Sequence, residues 1–234
     1  MYVPIYYVLL QNKKETTYRH ALQACISSSE GKMQATTYTS DFEHGIMASM
    51  KAEFPTGVAV GCLFHWKQAI RRKLLEFHIP KNLIRLLIGT DGIMNVLTVI
   101  PIEEIVTKGI PYCRCGFDES SHQVQFDSFW KYFISTWMVR YNPKVWNIHS
   151  FATDNSEFTL INRTNNPLER FNRKMNDSFP TPHPTMTSFV ETIRKISDDY
   201  VTDLARIAKG TMAKPVHLPV TIYPIPESYL SYMV

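Results

Sequence analysis

The sequence predicts an α/β fold, and three observations support that prediction. The apolar runs over residues 2–10 and 56–65 and the short β-branched and aromatic run over 36–40 are typical of strands. Each run is followed by a segment with helical spacing, so the predicted order is strand, helix, strand, helix, strand, helix. The length of 234 residues and the hydrophobic content of 44% describe a globular chain with one sizeable core.

The first run, "YVPIYYVLL", is apolar on both alternating faces, which predicts a strand covered on both sides. No basic region precedes it and no small-residue cleavage site follows it, which argues against a signal peptide. A helix is predicted over about 18–26. Strand 36–40 then ends at Asp41, and a helix is predicted over 42–53, before Pro55.

Alternation of Val58, Val60, Cys62 and Phe64 predicts a second core strand, and a helix follows over about 66–77. The character changes between residues 80 and 150, where helical patches predict a helical insertion. One of them carries aromatic residues at every fourth position, which we interpret as packed core. That stripe consists of Phe129, Phe133, Trp137 and Tyr141.

The last third predicts two helices and an extended tail. Pro167 suits a first helical turn that Thr164 or Asn165 could cap. An amphipathic pattern over about 188–209 ends where Gly210 can terminate a helix. We therefore divide the chain into residues 1–79 and 151–210 of an α/β core, the insertion 80–150, and a proline-rich, extended tail 211–234.

Composition leaves the partner open. The net charge is +4 and the pI about 8.8, values that permit a polyanionic partner without requiring one. Four cysteines in a chain of this length do not predict a disulfide scaffold, so a reducing, intracellular location fits better. No apolar window approaches the length of a membrane span, so no membrane partner is expected.

Two carboxylates are candidates for chemistry, and each has a simpler explanation. Asp41 follows a predicted strand, where ligands gather in α/β sheets, but Asp is also a common helix N-cap. Glu169 lies in "NPLERFNRKMN", where it could equally favour a helix start or pair with Arg173. Neither residue is specific by itself.

Cysteine, histidine and basic residues give weaker signals. Cys62 and His65 form half of a zinc motif. Cys113, Cys115 and His122 could supply the other half, but their spacing is poor for a common zinc site. We therefore favour a structural role for Cys62. Basic residues cluster in two places, each compatible with a solvated helix face or with phosphate contact. The first cluster is Lys67, Arg71, Arg72 and Lys73; the second is Arg163, Arg170, Arg173 and Lys174, beside Asn165 and Asn166.

The combination of motifs is more specific than any one of them. "TSDFEHGI", "VGCLFHWKQA", "FWKYFISTW" and "RTNNPLERFNRKMN" together resemble the transposase domain of Mutator-like elements (MULE transposases) from about residue 2 to about residue 190. The resemblance implies a ribonuclease H-like fold with a helical insertion and a DDE-type active site. It assigns Asp41 and Glu169 as catalytic metal ligands, and Cys62 and His65 as the family's C-x-x-H element.

The resemblance also implies Mg²⁺ or Mn²⁺ as cofactor and DNA as partner. The residues expected to contact DNA are those of the second basic cluster, together with Asn165 and Asn166. Two divalent ions about 3.5–4 Å apart can stabilise both oxygens of a phosphoryl transfer, and Mg²⁺ prefers carboxylate ligands. Activity would be DNA strand cleavage and transfer in the nucleus, with a homo-oligomer expected for an intact transposase.

One departure from the family limits the enzyme assignment. The family's first catalytic aspartate precedes the strand matched by "YVPIYYVLL", whereas no Asp precedes Asp41 here. Glu15, in the segment "QNKKE", is interpreted as a solvated turn residue. We therefore expect an incomplete ribonuclease H-like core and a transposase fragment that is inactive alone. The alternatives are a non-catalytic DNA- or protein-binding module derived from a transposase, or a metal-free structural remnant.

Overall fold

The computed structural model describes residues 3–115, 117, 121–149, 166–179, 183–215 and 225–232, with the backbone alone for 166–170. Its first part alternates helices and short strands: Glu15–Ser28 (α1), Thr37–Ser40 (β1), His44–Glu53 (α2) and Val58–Gly61 (β2). The helices and strands predicted over 18–26, 36–40, 42–53 and 56–65 are all present, with shifted ends. Glu15 is the first residue of α1, not a turn residue.

β1 and β2 are parallel neighbours, with Thr37 opposite Val58 and Ser40 opposite Gly61. Helix α2 forms the crossover that parallel strands require. It packs against α1, where the Ser49 hydroxyl donates to the Glu15 carbonyl at 2.8 Å. Gly45 permits that approach, because a Cβ there would lie 2.7 Å from the Lys13 carbonyl oxygen.

The strand predicted over 2–10 is wrong for the described residues 3–10, which form no strand. Ile5 is 80% exposed and Leu9 is 62% exposed, so the segment is not covered on both sides. An extended segment needs a hydrogen-bonding neighbour to become a strand, and in the described sheet β1 and β2 pair only with each other. Tyr7 instead packs its ring 5.8 Å from that of Phe171.

The described residues between 63 and 146 are mostly helical, as predicted for most of this region. The elements are Leu63–Glu76 (α3), Lys81–Ile88 (α4), the 3₁₀ helix Ile93–Thr98, the π-helical turn Ile105–Gly109, Ile110–Arg114 (α5), Gln123–Phe133 (α6), its π-helical continuation Ile134–Arg140, and Pro143–Trp146 (α7). Strand β2 ends at Gly61, so Phe64 lies in α3 and not in the strand as predicted.

The main hydrophobic core lies within this helical region. Trp66 of α3 stacks on Trp146 of α7 with ring centroids 5.5 Å apart. The ring of Trp137 lies 6.1 Å from that of Trp66. The Trp146 indole N–H donates to the Trp137 carbonyl at 2.9 Å, so a buried polar group is satisfied. Phe129, Phe133 and Trp137 are buried, which confirms the aromatic stripe as core.

The C-terminal part contains Asn166–Asp177 (α8), Met186–Ala208 (α9) and Glu227–Tyr232 (α10). Pro167 occupies the first turn of α8, as predicted; its predicted caps Thr164 and Asn165 lie outside the described residues. Thr185 caps α9 by accepting from the Ser188 N–H, and Gly210 follows the helix with φ +71°.

The prediction of an extended tail is wrong for residues 227–232, which form α10. Tyr229 is buried there, and its hydroxyl donates to the Glu104 carboxylate at 3.2 Å. Burial of an aromatic side chain against the helical core therefore offsets the proline-rich composition of the tail.

The fold is a mixed α/β structure, mostly helical, with a two-stranded parallel sheet. The α/β class is confirmed. A ribonuclease H-like core, and the division into 1–79, 80–150, 151–210 and 211–234, stay predictions. Within the described part of the chain, none of the helices combines the length and apolarity needed to cross a membrane.

Candidate functional site

Two predicted site residues follow adjacent strands at the same edge of the sheet. Asp41 comes directly after β1, and Cys62 comes directly after β2. The strands are paired to their ends, with Ser40 opposite Gly61, and the Cys62 N–H donates to the Ser40 carbonyl at 2.8 Å. The carboxyl edge of the sheet, where α/β proteins bind ligands, therefore carries Asp41 and the C-x-x-H segment together.

Asp41 does not cap α2, so that part of the prediction is wrong. The helix begins at His44, and the N-cap position belongs to Glu43, whose backbone is extended. Asp41 is half-buried, and its Oδ1 accepts a long bond of 3.4 Å from the Glu43 N–H. Phe42 and Glu43 separate the strand end from the helix, which leaves the Asp41 carboxylate at the edge of the sheet.

Glu43 is tied to the segment that precedes and begins α1. Its carboxylate accepts from the Lys13 ammonium at 2.8 Å and from the Tyr18 hydroxyl at 2.7 Å. The hydrogen bond from Lys13, and then that from Tyr18, lowers the pKa of Glu43 below its ordinary value. Sequence reasoning missed this residue, because a contact across 25 to 30 positions leaves no local pattern.

Phe42 fixes the other side of the strand end. Its ring meets the rings of Trp137 and Tyr141 edge-on, at 4.9 and 5.3 Å. The Tyr141 hydroxyl donates to the Phe42 carbonyl at 2.8 Å. A Cβ at Gly61 would overlap the Phe42 ring, so glycine is required for this packing. The backbone beside Asp41 is thereby anchored to the helical core.

Cys62 and His65 lie in different surroundings. Cys62 is fully buried and precedes α3, in agreement with a structural role. His65 is half-buried on the first turn of α3, with its ring 5.5 Å from that of Phe64. Its Nδ1 is buried and has no hydrogen-bond partner among the described residues. An accessory active-site role for these two residues stays a prediction.

Glu169 and its basic neighbours are described only in part. Asn166, Glu169 and Arg170 lie in α8, but their side chains are outside the description, as are Arg163 and Asn165 entirely. Arg173 is exposed. The Lys174 ammonium lies 3.8 Å from the Asp199 carboxylate and 5.0 Å from the centre of the Tyr200 ring.

The remaining candidate metal ligands lie in different environments. Cys113 is fully buried, and its thiol donates to the Ile93 carbonyl at 3.7 Å. Burial raises the pKa of the Cys113 thiol far above its ordinary value, which opposes the thiolate form that zinc binds. Cys115 is exposed. Among the described residues, no group of three His, Cys, Asp or Glu side chains could hold a metal ion.

The first basic cluster divides in two. Lys73 pairs with Glu76 at 2.7 Å and lies over the Tyr132 ring, while Arg72 donates to Gln68 on its own helix. Lys67 and Arg71 instead line a groove between α3 and α4, together with Lys81 and Arg85. The sequence did not indicate that α4 would bring two more cations to this side of α3.

Comparison with known proteins bears on the segment that contains Asp41. A family model described as "MULE transposase domain" matches residues 1–69. The searches of curated proteins and of solved structures found no match. The matched segment includes Asp41, Cys62 and His65, whereas the motif around Glu169 lies beyond it. Over residues 1–69 the chain is similar to the MULE transposase domain, in agreement with the resemblance that the motifs in this segment indicate.

Proposed function

We propose that this chain is a transposase-derived DNA-binding protein in which Asp41 and Glu169 are two ligands of a divalent-metal site. The observation that carries the proposal is the position of Asp41. It follows β1 at the carboxyl edge of the sheet, within the segment similar to the MULE transposase domain. Related transposases use such carboxylates for DNA strand cleavage and transfer.

The donor chemistry of Asp41 supports a hard cation. Among the described residues its carboxylate accepts one long backbone hydrogen bond, which leaves oxygen lone pairs for Mg²⁺ or Mn²⁺. The neighbouring Glu43 is engaged with Lys13 and Tyr18 and is a poorer candidate. One carboxylate is too few for such a site, so the described side chains alone do not form it. Glu169 is proposed as the second ligand, and no reaction step is derived through the metal.

DNA is the proposed partner of the region around α8. Arg163, Asn165, Asn166, Arg170, Arg173 and Lys174 are proposed to contact phosphates beside Glu169. The side chains of Arg173 and Lys174 are both exposed, and Lys174 already contacts Asp199 and Tyr200. Because chromosomal DNA would be the substrate, we propose a nuclear location. We also propose a homo-oligomer for an active assembly.

Binding without cleavage is the second candidate function. A DDE site needs three acidic ligands, and the motifs of this chain assign two, Asp41 and Glu169. If the chain uses these two carboxylates alone, it should bind DNA without nicking it. A non-catalytic role, such as a DNA- or protein-binding module derived from a transposase, would then be its function.

One pair of assays separates these candidates. Fluorescence anisotropy with labelled DNA measures binding, and relaxation of supercoiled plasmid in Mg²⁺ or Mn²⁺ measures nicking. Binding without nicking favours the non-catalytic candidate. Nicking that disappears in both Asp41→Ala and Glu169→Ala, but persists in the exposed control Asp91→Ala, establishes the enzyme. A chain that binds no DNA at low salt contradicts the enzyme and the DNA-binding module, and leaves only a protein-binding module.

A further inference from the structure

We propose that the groove between α3 and α4 binds single-stranded DNA, with phosphates against its cations and a base against Phe64. The groove has a volume of about 790 Å³. Its lining includes three apolar side chains, Leu75 from α3 and Ile84 and Ile88 from α4. The proposal rests on the proposed function only in taking DNA as the polyanion.

The charge of the groove is the first argument. Lys67 and Arg71 are four residues apart on α3, and Lys81 and Arg85 are four residues apart on α4, so each helix directs two cations to the groove. No carboxylate is among its lining residues in the described part of the chain. Four cations in one concave site attract a polyanion and repel one another without it.

The availability of these cations is the second argument. Arg71, Lys81 and Arg85 are exposed, and none of the three forms an ion pair with a described residue. Lys73 on α3 differs from these three residues, because it forms an ion pair with Glu76. Lys67 donates to the Gly89 carbonyl at 3.1 Å, which holds its ammonium across the groove near the end of α4.

Phe64 supplies the third argument, which favours single-stranded over duplex DNA. Phe64 is 45% exposed although it lines the groove, and it lies on the first turn of α3, next to His65. An exposed aromatic ring beside a basic track is the arrangement on which unpaired bases stack, whereas the bases of a duplex are already stacked. Since α3 starts directly after Cys62, the groove begins at the edge of the sheet that carries Asp41.

The test is a salt series of fluorescence anisotropy measurements with labelled oligo(dT) and with a duplex of equal length. The groove variant is Arg71→Gln/Arg85→Gln. The matched control, Lys131→Gln/Lys209→Gln, removes the same charge from exposed positions outside the groove. Circular dichroism and thermal unfolding establish that all variants are folded.

The groove variant is expected to lose about tenfold or more in affinity for oligo(dT), with a salt slope lower by about 1.4, since each single-strand phosphate contact contributes about 0.7. The control should keep the wild-type slope apart from a small general effect of charge. Phe64→Ala should lower the affinity for oligo(dT) about tenfold and leave the salt slope unchanged, because stacking releases no counterions.

Each contrary result has a separate meaning. If wild-type protein binds DNA but the groove variant and the control bind oligo(dT) equally, the groove inference is overturned while the proposed function stands. If wild-type protein binds neither oligo(dT) nor duplex, both are overturned. Binding of polyglutamate or of anionic vesicles that needs the groove cations, without binding of oligo(dT), would also overturn the inference in favour of a different partner.

Discussion

The hydroxyl of Tyr141 donates a 2.8 Å hydrogen bond to the carbonyl oxygen of Phe42, a residue 99 positions earlier in the chain. Phe42 directly follows Asp41, and Tyr141 follows the π-helical continuation of α6. The candidate metal ligand is thus positioned by the helical region as well as by its own strand. This contact links the segment similar to the MULE transposase domain to the aromatic core.

Replacing Tyr141 by Phe should destabilise the protein by about 1 kcal/mol, because the Phe42 carbonyl loses its partner while the ring packing remains. Urea unfolding measures the change. Tyr6→Phe, at an exposed position, is the control and should have no measurable effect. Equal stability of Tyr141→Phe and wild type would mean that this hydrogen bond does not anchor the strand end.

Gly61→Ala should cost about 1–3 kcal/mol, because the added methyl group would overlap the Phe42 ring and lie 3.2 Å from Val145 Cγ1. The double variant Phe42→Ala/Gly61→Ala should be less destabilised than the sum of the single variants, since the smaller side chain leaves room for the methyl group. Strict additivity in denaturant unfolding would show that the two residues do not compete for space.

Tyr229 should make stability fall as the pH rises through the alkaline range. Burial first, and then the nearby Glu104 carboxylate, raises its pKa from 10.0 to about 12. The unfolded chain therefore loses this proton first, and the contribution of Tyr229 is complete below pH 10 and lost as the pH rises towards 12. Tyr229→Phe should show a smaller fall than wild type, and the exposed control Tyr232→Phe should not. Identical pH profiles for all three proteins would contradict the assigned burial.

The thiols should separate by reactivity in the native protein. Cys115 is exposed and should react with a thiol reagent at once, whereas the buried Cys113, whose pKa is raised by burial, should react only on unfolding. Cys115→Ser should remove the rapid phase and leave the rest of the time course unchanged. Rapid labelling of Cys113, identified by peptide mapping, would contradict its place in the core.

On α8, Arg173→Ala should weaken duplex DNA binding more than Lys174→Ala. Arg173 is exposed, whereas Lys174 already contacts Asp199 and Tyr200. Loss of one phosphate contact should reduce the salt slope by about 0.9. An unchanged salt slope in Arg173→Ala would mean that Arg173 lies on an ordinary solvated helix face and contacts no phosphate.

Local patterns predicted most helices and both short strands, because the spacing of apolar residues and the turn residues can be recognised within a few consecutive positions. They failed where a distant partner decides the outcome. The run 2–10 has the composition of a strand, but residues 3–10 lack a neighbour in the described sheet. Asp41 has the chemistry of a cap, but the tether of Glu43 to Lys13 and Tyr18 places the helix start two residues later.

The candidate site was predictable to the same extent. Asp41 could be placed at the end of a strand, but Cys62 was predicted inside the second strand, because the apolar alternation continues to Phe64. The groove could not be predicted, because Arg71 and Arg85 line the same groove only through the packing of α3 against α4. The Tyr141–Phe42 contact escaped prediction for the same reason.

The convergence of Asp41 and Glu169 on one divalent metal ion is the central claim, and iron-directed backbone cleavage tests it most directly. Fe²⁺ substituted for Mg²⁺ reduces added hydrogen peroxide to hydroxyl radicals, which cut the chain near the metal ligands, and ascorbate restores the Fe²⁺. The account predicts cuts near residues 41 and 169 that excess Mg²⁺ suppresses and that Asp41→Asn removes at both places. A cut near residue 41 alone, or cuts at both places that survive in Asp41→Asn, would contradict a shared site.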